Sequence, residues 1–126
     1  MEELQEFVER KHRNYNLYKE LLQDMPFGKL LDFRSGTDSN QWFYSVELQM
    51  NKLNRTLREV IMALQEKGIQ TRAIWGLIHE QLPYQDSIAY KIERAVYYSS
   101  CILNVPCSTQ LTEEEIQYVA EKIRKL

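Results

Sequence analysis

Three side chains able to do chemistry follow one another closely in residues 68–79, which read Gly-Ile-Gln-Thr-Arg-Ala-Ile-Trp-Gly-Leu-Ile-His. Arg72 carries a planar fork of donors that binds anions, and Trp75 offers a flat apolar face. His79 can carry or relay a proton near neutral pH. Their position just after a predicted strand indicates a ligand site. The alternatives are packing roles for Trp75 and His79 and an ion pair between Arg72 and a neighbouring carboxylate.

Two predicted core strands position these side chains. Residues 41–48 alternate in polarity, which predicts a strand with one buried face. The side chains expected on that face are Trp42, Tyr44, Val46 and Leu48. The alternation therefore favours a structural role for Trp42. Residues 69–74 form the second predicted strand, and a helix over residues 55–67, capped by Asn54, lies between the two in sequence. This order predicts an α+β fold.

A long helix over residues 2–23 opens the predicted fold and ends before Pro26. Its apolar positions at helical spacing are Leu4, Phe7, Val8, Tyr15, Tyr18 and Leu22. The first half of this helix has no obvious partner elsewhere in the chain, and exposed apolar surface favours association. We therefore expect a homo-oligomer formed through the face that Leu4, Phe7 and Val8 share. The predicted organisation is a long helix over residues 1–24 and an α+β domain over residues 25–126.

The remaining elements are shorter. We expect a strand over residues 29–34, an irregular loop over 76–85, and a strand over Ile102–Val105. A helix is predicted over residues 87–100, with Ile88, Ile92, Ala95, Val96 and Ser99 facing inward. The segment Thr-Glu-Glu-Glu that begins at Thr112 is a capping box that starts the last helix. The inward positions of that helix are Ile116, Val119, Ala120 and Ile123.

Composition narrows the possible functions. The 126 residues carry a formal net charge of −2, so nucleic-acid binding has no electrostatic support. Cys101 and Cys107 form no paired framework and are expected to be reduced thiols, and His12, between Lys11 and Arg13, is expected on a solvated face. With two histidines, the composition does not favour a classical zinc site on this chain. No apolar run reaches the length of a membrane span, which predicts a cytoplasmic protein without a membrane partner.

Two segments in the first half of the chain resemble the DegT-type sugar aminotransferases. Residues 2–11, followed by Tyr15 and Tyr18, are similar to the long helix that links the large and small domains of that family. Residues 39–43, Ser-Asn-Gln-Trp-Phe, resemble the Ser-Asn-x-Trp motif at the start of a small-domain strand. Both matches lie where the helix and the first long strand are predicted.

Two segments in the second half continue the resemblance in the same order. Residues 68–79 are similar to the family's Gly-Ile-x-x-Arg…His signature. Residues 103–108, Leu-Asn-Val-Pro-Cys-Ser, and 111–114, Leu-Thr-Glu-Glu, resemble its closing Leu-x-x-Pro…Leu-Thr-x-Glu pattern. The ordered set covers nearly the whole chain and is similar to the C-terminal third of these enzymes, which is their small domain.

The resemblance implies the fold of aspartate aminotransferase and dependence on pyridoxal 5'-phosphate. It implies amino transfer from glutamate to a keto sugar attached to a nucleotide, with the cofactor as electron sink. In the family, the large N-terminal domain supplies the cofactor lysine and the phosphate cup. No lysine of this chain lies in that motif. We therefore expect the chain alone to bind no cofactor, to contribute no catalytic residue and to have no transaminase activity.

By the same resemblance, this domain forms one wall of the substrate cleft. The residues implied to bind substrate are Asn40, Trp42, Arg72, Trp75 and His79. Arg72 would meet a carboxylate or phosphate, Trp75 would pack on a sugar or base, and His79 would hydrogen-bond the sugar. The context of Trp75 and Gln81 resembles relatives that make amino sugars for surface polysaccharides. The alternative is a non-catalytic interaction module derived from the same fold.

Overall fold

A four-stranded antiparallel sheet organises residues 3–126, the part of the chain that this computed structural model describes. Its strands are β1 (Gly28–Leu30), β2 (Tyr44–Leu48), β3 (Arg72–Ala73) and β4 (Ile102–Val105). The order across the sheet is β1-β2-β4-β3, and every neighbouring pair is antiparallel. The predicted α+β class is therefore confirmed. The two strands expected to frame the site share this sheet, with β4 inserted between them.

The helices surround the sheet. They are α1 (Leu4–Leu21), α2 (Met50–Leu53), α3 (Leu57–Gln65), α4 (Glu93–Cys101) and α5 (Glu113–Arg124). The predicted capping box at Thr112 is confirmed, because its side chain accepts from the Glu115 backbone and the Glu115 side chain returns to the Thr112 backbone. A second capping box starts α3 at Thr56. The prediction that Asn54 caps this helix was wrong, since Asn54 ends α2 in the left-handed conformation.

One hydrophobic core joins the sheet to α1, α3 and α5. Alternate residues of β2 point into it, namely Tyr44, Val46 and Leu48, and all three are buried. The second half of α1 contributes Tyr15 and Tyr18, which matches the predicted stripe. The first half of α1 leaves Leu4 and Phe7 exposed. The predicted first residue of this helix, Glu2, lies outside the described residues.

The end of α1 is held by α5. The Arg124 guanidinium donates from Nη1 to the carbonyl oxygens of Leu21 and Gln23, at 3.1 and 2.9 Å. Leu21 is the last residue of α1, where backbone acceptors lack intrahelical partners, and Gln23 lies in the turn that follows. Asp24 then takes a positive φ of 57°, which turns the chain towards β1. The helix accordingly ends close to the predicted position before Pro26.

The predicted strand over residues 69–74 is shorter in the structure. Only Arg72 and Ala73 pair with β4. Ile69 instead donates its N–H to the Leu64 carbonyl at 3.0 Å, after Gly68 has adopted a φ of +75°. This bond is part of the left-handed C-terminal cap of α3. The first residues of the expected strand therefore complete the end of this helix and do not pair with β4.

The predicted helix over residues 87–100 was wrong in its first turns, because α4 begins at Glu93. Lys91 has a positive φ of 49°, which a helix cannot accommodate. Ile88 is 99% exposed, and Ala95 and Val96 are also exposed, so these three do not face inward as expected. The expected loop over residues 76–85 contains two short 3-10 turns, Ile78–Glu80 and Leu82–Tyr84. The expected strand over residues 29–34 is reduced to β1.

Two buried tyrosines make a matched pair for testing polar groups in the core. The Tyr44 hydroxyl donates to the Lys11 carbonyl at 2.8 Å, whereas the Tyr18 hydroxyl has no partner within residues 3–126. We expect Tyr44→Phe to lower the free energy of unfolding by about 1 kcal/mol, and Tyr18→Phe to leave it unchanged or raise it. Urea denaturation of both variants measures this difference. A larger loss for Tyr18→Phe than for Tyr44→Phe would contradict the assignment.

Candidate functional site

Three aromatic side chains form an exposed cluster at one end of the sheet. Phe43 lies between Trp42 and Trp75, with ring centroids 4.7 and 5.2 Å away, and the two tryptophans are 6.5 Å apart. Trp42 is 64% exposed and Trp75 is 69% exposed. The prediction that Trp42 belongs to the core was therefore wrong. The strand alternation begins only at Tyr44, so it does not extend back to residue 42.

The turn before β2 explains why Trp42 faces outward. Gln41 adopts a left-handed φ of 49°, which interrupts the extended chain. The Trp42 N–H donates to Asn40 Oδ1 at 3.2 Å, and the Gln41 N–H donates to Ser39 Oγ at 3.0 Å. Side chains of this kind stabilise tight turns. Asn40 thus shapes the turn that presents Trp42, and a direct contact between Asn40 and a substrate stays a prediction.

Two residues of α1 anchor this turn. Lys11 Nζ donates to the carbonyl oxygens of Trp42 and Cys107, at 2.8 and 2.5 Å. His12 Nε2 lies 2.9 Å from the Ser39 carbonyl oxygen. The expectation that His12 sits on a solvated face was wrong, because it is partly buried against the turn. No local pattern could have revealed these roles, since the contacts join residues far apart in the sequence.

The Lys11 anchor gives a test of how the turn is held. We expect Lys11→Met to lower the free energy of unfolding by about 1–2 kcal/mol, because two carbonyls lose a charged donor. The matched control is Lys19→Met, which removes an exposed ion pair with Asp32 and should cost clearly less than Lys11→Met. Thermal denaturation compares the two variants. Equal losses would mean that Lys11 contributes no more than a surface charge.

A groove runs beside the aromatic cluster, across the strands. Its volume is about 320 Å³, and Phe43, Arg72, Trp75 and Asn104 are among its lining residues. Arg72 stands directly opposite Asn104 across the β3–β4 pair, so the two side chains share one face of the sheet. Within residues 3–126, the guanidinium of Arg72 is the single formal charge in this lining. The groove therefore favours an anionic ligand with an apolar, ring-shaped part.

His79 lies apart from this groove. It sits in the 3-10 turn Ile78–Glu80, and its Nε2 is 4.0 Å from Glu80 Oε1. Among the described residues, the groove lining includes Arg72 and Trp75 but not His79. The structure thus brings Trp42, Arg72 and Trp75 together, places Asn40 behind Trp42, and leaves His79 further along the loop.

A second polar cluster lies between α4 and the sheet. The Tyr97 hydroxyl donates to Glu47 Oε1 at 3.0 Å, and this hydrogen bond raises the pKa of Tyr97 to about 12. Burial raises the pKa of the neighbouring Cys101 thiol. Both groups are therefore protonated at neutral pH, and Cys101 is a poor nucleophile. We assign this cluster a structural role, because it links α4 to the sheet.

Across residues 3–126, His, Cys, Asp and Glu side chains nowhere gather in a group of three or more that could hold a metal ion. In the same range, no helix is both long enough and apolar enough to cross a bilayer.

The fold is that of the sugar aminotransferases. DesI, solved in the presence of its TDP-sugar product, superposes with a TM-score of 0.91 at 24% identity, covering 98% of this chain and 32% of DesI. DesV from S. venezuelae superposes with a TM-score of 0.84 at 18% identity, covering 98% of this chain and 32% of DesV. PseC from Helicobacter pylori superposes with a TM-score of 0.80 at 17% identity, covering 94% of this chain and 32% of PseC.

The sequence defines the family within this fold. The chain belongs to the DegT/DnrJ/EryC1/StrS aminotransferase family, whose profile matches residues 1–124. The resemblance drawn from the sequence motifs is thus confirmed. The chain spans about a third of the length of the solved structures it matches.

Proposed function

We propose that this chain forms one wall of the substrate cleft in a pyridoxal-phosphate-dependent aminotransferase that acts on a nucleotide-linked keto sugar. The observation that carries the proposal is the meeting of Trp42, Trp75 and Arg72 at one end of the sheet. Membership of the aminotransferase family supports the reaction type. The TDP-sugar product of DesI supports the substrate class. Glutamate is the proposed amino donor.

The exposed side chains suit the parts of such a substrate. An aromatic face packs against a sugar ring or a base, and the Trp75 ring is open to solvent for this purpose. The Arg72 guanidinium binds a phosphate or a carboxylate through paired N–H donors. His79 is proposed to hydrogen-bond the sugar, and Asn40 to hold the turn of Trp42. By resemblance, the product is an amino sugar for surface polysaccharides, made in the cytoplasm.

The residues described here do not fit the cofactor itself. When bound, pyridoxal phosphate supplies an electron sink and requires a lysine amine that is free to react with its aldehyde. The ammonium of Lys11 donates to the carbonyl oxygen of Cys107, which lines the groove, and to that of Trp42. We therefore propose that another part of the enzyme holds the cofactor. The chain alone should not catalyse amino transfer or gain an absorbance band with pyridoxal phosphate.

The surface that follows Arg72 supports contact with such a cofactor-binding part. Residues 80–91 are all exposed, and the apolar side chains among them include Leu82, Ile88 and Tyr90. Exposed apolar surface of this extent marks a contact region. The related structures are about three times as long as this chain, so they contain sequence that could cover it.

The same proposal includes the linking role of residues 1–24 and self-association through α1. Leu4 and Phe7 are exposed on its first turns, and Val8 is half-buried beside them. Sedimentation velocity at high protein concentration should detect a dimer or a larger assembly. A single monomeric species, or an assembly unchanged by Phe7→Ser, would contradict this part of the proposal.

Tryptophan fluorescence tests the proposed wall directly. The chain contains two tryptophans, Trp42 and Trp75, and both lie in the aromatic cluster. We expect TDP-glucose to change the emission of the chain in a saturable way, and glucose alone to have no such effect. Trp42→Phe and Trp75→Phe assign the signal to one ring. Unchanged emission at millimolar TDP-glucose would contradict the proposal and favour the non-catalytic module.

A further inference from the structure

We propose that Asn104 is a ligand-binding residue of the groove, which donates a hydrogen bond to an oxyanion beside Arg72, and that Ser45 is its positioning residue. The inference deepens the proposed function and rests on it only for the identity of the ligand. It adds two residues that the motifs did not single out.

Register places the three polar side chains in one row. Ser45 of β2 stands opposite Asn104 of β4, and Asn104 stands opposite Arg72 of β3. Residues directly opposite in antiparallel strands share a face and lie about 5 Å apart at their Cβ atoms. The row therefore crosses three strands on one face of the sheet, and its members Asn104 and Arg72 line the groove, whereas Tyr44 and Val105 belong to the hydrophobic core.

The hydrogen bond within this row orients the amide of Asn104. The Ser45 hydroxyl donates to Asn104 Oδ1 at 2.7 Å. An amide that accepts at its oxygen has two N–H donors left on its nitrogen. Within residues 3–126, Nδ2 of Asn104 makes no hydrogen bond, and it is not sealed from solvent. Asn104 lines the groove, and we infer that these donors serve it.

Asn104 places an amide at a largely buried position of the sheet. Asn104 is only 8% exposed, in the central strand β4 between two strands of the sheet. An apolar side chain would fill such a position without desolvating an amide. Ser45 satisfies the oxygen of this amide and leaves its nitrogen to the groove. The amide nitrogen of Asn104 is thus a donor of fixed orientation that suits an acceptor oxygen of a ligand.

The ligand chemistry follows from the neighbours of the amide. Arg72 supplies the formal positive charge of the groove, and Phe43 and Trp75 supply its apolar edge. Guanidinium and amide N–H groups side by side match an oxyanion with two or more acceptor oxygens. A diphosphate from a nucleotide sugar and the carboxylate of glutamate share this chemistry. The test must therefore separate the two sources.

Nuclear magnetic resonance on the 15N-labelled chain tests the inference with three probes: thymidine diphosphate, inorganic phosphate and L-glutamate. We expect at least one probe to shift the side-chain amide signals of Asn104 and the indole signal of Trp75. Saturation by thymidine diphosphate would identify a phosphate subsite. Saturation by glutamate would identify a carboxylate subsite. If none of the probes moves the Asn104 amide signals, the inference is wrong.

Variants separate binding from folding. Asn104→Asp is nearly isosteric and keeps an acceptor for Ser45 but loses the N–H donors, so binding should weaken at least about tenfold. Ser45→Ala should weaken it about threefold and broaden the Asn104 amide signals, and Ser45→Thr should restore both. Gln117→Ala, which truncates an exposed amide on α5, should leave binding unchanged. Wild-type affinity in Asn104→Asp would overturn the inference.

The proposed function has a separate criterion. It requires amino transfer to a nucleotide-linked keto sugar when the chain is assembled with a cofactor-binding part. Probe binding that depends on Asn104, without activity in any such assembly, would support the inference and contradict the proposed function. Activity in such an assembly, together with unchanged probe affinity in Asn104→Asp, would support the proposed function and contradict the inference.

Discussion

Replacement of Arg72 by alanine is expected to weaken the binding of TDP-glucose by about 10- to 100-fold. Hydrogen bonds to charged groups contribute about 1.5–3 kcal/mol each, and tenfold in affinity corresponds to about 1.4 kcal/mol. Arg72 supplies the formal charge of the groove lining among the described residues, so no neighbouring cation replaces it there. The measurement is a titration followed by tryptophan emission.

The stability of the Arg72→Ala variant should be almost unchanged. Arg72 is exposed on the edge strand β3, and exposed substitutions of this kind usually alter the free energy of unfolding by less than about 0.5 kcal/mol. Arg72→Lys separates charge from geometry, because it keeps the charge but loses the planar fork, and it should fall between wild type and alanine.

The control for overall charge is Arg58→Ala, on the exposed side of α3. It removes the same charge away from the groove and should bind TDP-glucose as the wild type does. Equal affinity of Arg72→Ala and wild type would mean that Arg72 is a solvated surface residue. Equal losses in the Arg72 and Arg58 variants would mean that only net charge matters.

The sequence was most informative where a local signal decides the structure. The capping box at Thr112, the alternation from Tyr44 to Leu48 and the interruption before Pro26 each act through neighbouring residues. These signals predicted the last helix, the main part of β2 and the end of α1. The family motifs added the fold, because their order along the chain is more specific than any one of them.

The sequence was least informative where distant contacts decide. Two residues with positive φ, Gln41 and Lys91, cut short a predicted strand and a predicted helix. Neither position holds glycine or asparagine, the residues that most often adopt a positive φ, so the sequence did not indicate the interruptions. The placement of Trp42 on the surface depends on its turn and on Lys11, which is 31 residues away in sequence.

The candidate site likewise combines residues that local motifs revealed with residues that only distant contacts bring together. Motifs brought out Arg72 and Trp75, which the structure places on one groove. Ser45 and Asn104 were not recognised, since each is an ordinary polar residue within its own strand. Only the register of β2 with β4 makes them neighbours. Strand pairing between distant segments is therefore the information that sequence patterns lacked.

The core that supports this register gives the second large prediction. Leu103 is fully buried in β4, opposite Val46 of β2 and Ala73 of β3. Leu103→Ala should lower the free energy of unfolding by about 3 kcal/mol, because it removes buried apolar contacts and leaves a cavity. Domains of this size are typically stable by only about 5–15 kcal/mol, so this loss is a large fraction of the total.

Urea denaturation measures the effect, and Leu82→Ala is the matched control. Leu82 is an exposed leucine in a 3-10 turn, and its truncation should cost less than about 0.5 kcal/mol. Because β4 joins the strand that follows Trp42 to the strand that precedes Trp75, Leu103→Ala should also weaken TDP-glucose binding, although Leu103 does not line the groove. Equal stability of the two leucine variants would contradict the central position of β4. Unchanged binding in Leu103→Ala would mean that the two tryptophans are held together without the sheet.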